Sequence, residues 1–193
     1  MPNNVVNELI FRNISTEIQE KILAKVRGPV RLIDFETLLP APLNIWNGNV
    51  GGRHEQRFPS THLDWACANW GTKWNAYGLD EDEIYRPIVQ AGNTLILTFQ
   101  TAWSPPMGWI VALFNFFGLS FDHNWLDEGD ERGHADRFIA KELDNDFAEP
   151  WIEEVAGDEM YKHLHTLLWG CESFEDDDGE DAERLADEAG GNA

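Results

Sequence analysis

At 193 residues, with 42% hydrophobic and 12% aromatic side chains, the chain carries enough apolar material for one packed domain and too much to be disordered throughout. Its 35 acids against 14 bases give a net charge of −21, which excludes a generic binder of phosphate backbones or of anionic membranes, since both need Lys and Arg to displace counterions. Cys67 and Cys171 are far apart and form neither a disulfide framework nor a zinc ribbon, and the N-terminus has no basic, apolar leader, so the sequence reads as a soluble, reduced, cytoplasmic protein.

Residues 5–12 read as a strand. Thr16, with Gln19 three positions on, predicts a capping box that opens a helix, and its stripe of Ile18, Ile22 and Val26 ends at Gly28-Pro29. Residues 30–39 offer a second strand, closed by Pro40-Ala41-Pro42. The polar, glycine-rich stretch 47–60 is a loop insertion; it lacks Gly-x4-Gly-Lys-Ser/Thr and is no phosphate loop. Residues 61–70 read as a helix with Leu63, Ala66, Cys67 and Trp70 on one face. Residues 93–103 are the clearest strand, with Leu95, Leu97 and Phe99 alternating against Thr98 and Gln100. Ser104-Pro105-Pro106-Met107 opens a helix that runs to Phe117, because proline in a first turn loses no needed donor. Residues 119–125 and 135–141 then form two strands around an acidic turn, and Asp158 caps a last helix ending at Trp169. The order predicts an α+β protein: a ferredoxin-like split βαβ, with a helix-backed, largely antiparallel sheet and an acidic helical C-terminal extension. One domain spans 1–170, and 171–193 reads as a disordered acidic tail with a nascent helix at 180–189.

The charge is unevenly divided. Residues 1–121 carry a net −2, residues 122–170 a net −10 and residues 171–193 a net −9. The middle block interleaves its acids with Phe138, Leu143, Phe147, Trp151, Tyr161, Leu164 and Trp169, which predicts a folded surface presenting negative charge. Such a surface serves either solubility alone or a basic partner.

Two motifs, Trp70-Gly-Thr-Lys-Trp-Asn-Ala76 and Thr101-Ala-Trp-Ser-Pro-Pro106, with the lead-in Leu63-Asp-Trp-Ala-Cys-Ala-Asn69 and Leu38-Leu-Pro40, resemble the signature of the YubB-like ferredoxin-like family of plasmid- and phage-encoded proteins. The likeness covers about residues 5–140 and departs at the N-terminus, where Asn4-Val-Val-Asn7 replaces the family's Trp-Cys-Thr-Asn, and beyond Asp144. It implies the fold and an origin on a mobile element in a bacterial host cell; it implies no reaction.

The chemistry-bearing residues do not assemble into a catalytic set. Trp70, Lys73, Trp74, Asn75, Trp103 and Ser104 form either a pocket, with Lys73 as cation or base on an indole floor, or packing that fixes the turn against the sheet. Ser104 lacks a Gly-x-Ser-x-Gly elbow. Glu159 and His163 have metal-ligand spacing without a third ligand, and the acidic turn lacks calcium-loop spacing, so no metal or cofactor is expected. The reading that follows is a non-enzymatic inhibitor of anti-CRISPR or anti-restriction type. It would mimic DNA through Asp127, Glu128, Asp130, Glu131, Asp144, Asp146, Glu153 and Glu154 and bind a host protein with a basic nucleic-acid-binding surface, without touching nucleic acid or membrane. The alternatives are a small-molecule-binding protein or enzyme at the Trp/Lys motif, and an accessory protein that docks through the apolar helix 109–117.

Overall fold

The computed structural model describes residues 3–47, 61–81, 85–140 and 151–171. Asp144, Asp146, most of the 47–60 insertion and the expected 180–189 helix lie outside them.

The frame is a ferredoxin-like sheet. The strands β1 (Asn4–Phe11), β2 (Ile88–Ala91), β3 (Thr94–Ala102) and β4 (Phe121–Asp127) are arranged β2-β3-β1-β4, every neighbouring pair antiparallel. Helices α1 (Thr16–Val26) and α3 (Met107–Phe117) supply the two crossovers, and α2 (His62–Asn69) is inserted between α1 and β2. Beyond β4 the sheet gains β5 (His134–Phe138) and the two-residue β6 (Trp151–Ile152), and helix α4 (Asp158–Trp169) follows. The described residues thus have the expected helix-backed antiparallel architecture and C-terminal helix.

Strand periodicity divides the sheet into two faces. Leu9, Phe11, Leu95, Leu97, Phe99, Phe121 and Phe138 point to the face that packs against Ile22 and Val26 of α1 and Trp109, Ile110 and Leu113 of α3. Val6 and Leu126 point the other way and, with Tyr85, enclose Leu164 of α4. Because β1 is covered on both faces, it is buried from Val5 to Phe11, including the polar Asn7 and Glu8.

Several local expectations are corrected. Residues 30–39 are not a strand: Val30 is exposed, Gly28 N donates to Arg31 O, and Asp34 caps a 3-10 turn, Phe35–Thr37, that drops Ile33 and Phe35 into the core. The second strand of the split βαβ is instead β2, joined to β3 through Gly92 at positive φ. The N-cap of α1 is Ser15, whose hydroxyl accepts from Ile18 N, while Gln19 turns inward and donates to Gly92 O at 2.8 Å. Helix α4 is capped by Gly157 rather than Asp158, and Cys67 lies on the exposed face of α2. A true capping box appears at α2, between Thr61 and Asp64. Of α3, Trp109, Ile110 and Leu113 are buried against the sheet, and among its large apolar residues Phe116 is the exposed one, beneath the Lys25 ammonium. That packing leaves little of the helix for partner docking. Among the described residues no helix is long and apolar enough to cross a membrane.

Candidate functional site

The Trp70–Ala76 motif forms the turn that carries the chain from α2 onto the sheet. Trp70 is fully buried, donates its indole N–H to Leu39 O at 2.8 Å and meets Phe35 edge to face. Thr72 donates to Ala102 O, and the Ser104 hydroxyl donates to Gly71 O at 2.5 Å. Asn75 clips the turn to the 3-10 segment: its Oδ1 accepts from Phe35 N at 2.9 Å and its Nδ2 donates to Asp34 Oδ1 at 2.7 Å. Lys73, Trp74 and Trp103 remain together at the surface. The Lys73 ammonium lies 4.8 Å from the Trp74 ring and 4.3 Å from the Trp103 ring, with the indoles 46% and 48% exposed. Trp103 adopts φ +78, an uncommon conformation for a bulky residue. Thus Trp70, Asn75 and Ser104 serve packing and backbone, whereas Lys73, Trp74 and Trp103 form an exposed cation–indole shelf.

The acidic residues assemble around β5. Asp127 ends β4, and Glu128, Asp130 and Glu131 form the turn into β5. This turn is tied to the start of β1: Asn3 Nδ2 donates to Asp127 Oδ1 at 3.1 Å, Asn4 Nδ2 donates to Glu128 Oε2 at 2.9 Å, and Glu128 N donates to Asn4 O. Tyr77 braces it by donating to Asn4 Oδ1 at 2.6 Å; burial, reinforced by the Glu128 charge, pushes its phenol up to about 12. On the other side of β5, Ala135 N donates to Glu154 O and Ala156 N to Gly133 O, which places exposed Glu153 and Glu154 alongside β5. Arg137 lies near Asp122 and Glu154, at 3.8 and 3.4 Å.

Aromatic side chains flank the acidic turn on both sides. One cleft, of about 370 Å³, is lined by Trp103, Ser104 and Trp125 together with Asp127 and Asp130, so the two groups of candidate residues meet there. A second, of about 430 Å³, lies between the turn and α4, lined by Asp127, Glu128, Asp130, Tyr161, His165 and Trp169. Trp125 goes unread in the sequence, and Tyr161 and Trp169 are read there only as part of the folded acidic block, although the spacing of Tyr161, His165 and Trp169 by four residues places them on one helix face.

Beneath the first cleft's side of the sheet runs a buried polar row. Asn7 donates to Val5 O and to Thr101 Oγ1, so its Oδ1 accepts and the His123 proton sits on Nε2, 3.1 Å away. Burial, aided by His134, lowers the His123 pKa to about 3 and keeps the ring neutral. Asp136 accepts from the Trp125 indole at 3.0 Å, and burial raises its carboxyl; Trp125 stacks on His134 at 3.8 Å. On the opposite face Glu8 meets His163 of α4 at 2.9 Å. His163 therefore faces the sheet and His165 does not, and among the described residues no group of three or more metal-ligating side chains converges.

The βαββαβ order and the sheet it builds define a ferredoxin-like protein. Residues 73–167, from the Lys73 shelf through the acidic turn into α4, are similar to the family described as the ferredoxin-like domain in Api92-like protein. No curated protein and no solved structure matches the chain.

Proposed function

We propose that the chain is a non-enzymatic binding protein that sets its acidic edge into the basic, nucleic-acid-binding surface of a bacterial defence protein, of CRISPR or restriction type, and so takes the place of DNA. What supports this reading is the run of Asp127, Glu128, Asp130 and Glu131 between β4 and β5, with Asp127 and Glu128 tied to Asn3 and Asn4, and the exposed Glu153 and Glu154 alongside β5. A duplex presents one negative charge per ~1.7 Å of axis, and a competitor needs carboxylates held at comparable density. Holding them in advance reduces the ordering cost of association. By sequence, Asp144 and Asp146 add to this acidic region. The likeness of the Trp70–Ala76 and Thr101–Pro106 motifs to YubB-like proteins of plasmids and phages supports a mobile element as the source, and such elements gain from blocking host defence. Lys replacements at the six described acids should abolish binding and inhibition, and binding by the parent chain should weaken steeply between 50 and 300 mM NaCl. Inhibition that survives those replacements would reject the proposal.

The exposed Lys73–Trp74–Trp103 shelf favours a second reading, a small-molecule site at the motif. The commitment of Trp70, Asn75 and Ser104 to internal hydrogen bonds weighs against it. Native mass spectrometry that finds a bound metabolite, lost in Lys73→Ala, would establish it.

A further inference from the structure

We infer that the partner is engaged through arginine side chains that enter the two aromatic-walled clefts beside the acidic turn, so that the recognised group is a guanidinium and not positive charge in general. The inference rests on the proposed acidic edge and names its anchor. Asp127 and Asp130 line both clefts, Trp103 and Trp125 wall one, and Tyr161 and Trp169 wall the other. Trp103 and Trp169 are 48% and 52% exposed, far more than indoles used only for packing. A surface evolved only for solubility or charge repulsion needs no indoles beside its carboxylates. A guanidinium uses both: its plane stacks on an aromatic ring while its N–H fork meets a carboxylate. An ammonium is a compact, strongly hydrated charge that gains less from that pairing.

The turn is also prepared for such a ligand. Asp127 Oδ1 already accepts from Asn3 and Gly129 N, and Asp130 Oδ1 accepts from Arg132 N, which orients both carboxylates and leaves Asp127 its Oδ2. His134 approaches Asp130 Oδ2 at 3.5 Å from the β5 side. Among the described residues no Lys or Arg lines either cleft, and the Lys73 ammonium lies 4.3 Å from the ring of Trp103, the indole that walls the first. The occupant that complements two carboxylates between indole and phenol rings is a basic segment of a partner, rich in arginine.

The test uses the full chain with fluorescein-labelled octa-arginine and octa-lysine, read by anisotropy at 100 mM NaCl. Octa-arginine should bind at least fivefold more tightly. The charge-neutral double variant Trp103→Ala/Trp169→Ala should weaken octa-arginine at least fivefold and leave octa-lysine within twofold, with the melting curve confirming a folded protein. Tyr161→Phe, which keeps the ring, should bind octa-arginine as the parent chain does. Equal affinity for the two peptides, or an octa-arginine affinity indifferent to loss of both indoles, overturns the inference. If Asp127→Asn/Asp130→Asn abolishes binding of both peptides while the indole variant changes nothing, the acidic edge stands and the guanidinium anchor falls. If neither set of substitutions alters binding, both fail.

Discussion

Single residues hold the candidate surfaces in place. Asn75 satisfies a backbone donor and a carboxylate of the 3-10 segment at once, and its Oδ1 also accepts from Ala76 N. Asn75→Ala should cost about 1–3 kcal/mol in urea unfolding, the usual penalty for a part-buried partner left unpaired. His163 behaves differently because it titrates. Its hydrogen bond to Glu8, against an opposing effect of burial, holds its pKa above the usual histidine value of about 6.5. The resulting stabilisation is complete below the unfolded value and is lost as pH rises through the folded one. The stability difference between the parent chain and His163→Gln should therefore be larger at pH 5.5 than at pH 8.5. His123, held neutral by burial, has the opposite sign: its contribution is present above pH about 6.5 and falls as pH drops toward 3. Urea titration of His163→Gln and of His123→Gln across this range separates the two effects.

At the scale of elements, the close approach of α2 to α3 sets the Trp70–Ala76 turn. A Cβ on Gly108 would lie 2.0 Å from Asn69 O, a backbone atom that cannot move without shifting α2. Gly108→Ala should destabilise by about 1–3 kcal/mol or more through overpacking, and should disturb the Lys73 shelf as well. Helix α4 is held by a small cluster around Leu164, and Leu164→Ala should cost about 2–5 kcal/mol, with amide exchange rising in α4 before β1. What was legible in the sequence follows the strength of local pattern. Strands β1 and β3 and helix α3 show a clean period or a proline-marked start, and they lie where that pattern predicts. Strand β2 is four residues with only Ile88 and Val89 as large apolar side chains, and the Gly92-Asn93 pair before β3 is its turn signal. The stretch 30–39 misleads because Ile33 and Phe35 alternate correctly, while Gly28-Pro29 and the Asp34 cap bend the backbone away from any strand edge.

At the scale of the whole molecule, the charge asymmetry of the sequence becomes an asymmetry of surfaces. The segment of α1 and the 3-10 turn balances Lys21, Lys25, Arg27 and Arg31 against Glu17, Glu20, Asp34 and Glu36, while acids outnumber bases from β4 through α4. The acids were legible as composition, but their assembly beside Trp103, Trp125 and Trp169 required the sheet order and the docking of α4, which no local pattern specifies. The arrangement should orient the chain toward a basic partner over a distance set by ionic strength, so that added salt slows association more than it speeds dissociation. The direct test of the central claim is capture of host proteins on the immobilised full chain, followed by challenge with duplex DNA at 100 mM NaCl. The account predicts that the captured protein binds DNA, is released by the duplex, and is not retained when Asp127, Glu128, Asp130, Glu131, Glu153 and Glu154 are replaced by Lys. Capture that resists both duplex and salt, survives those replacements and disappears on Lys73→Ala or Trp74→Ala would contradict it.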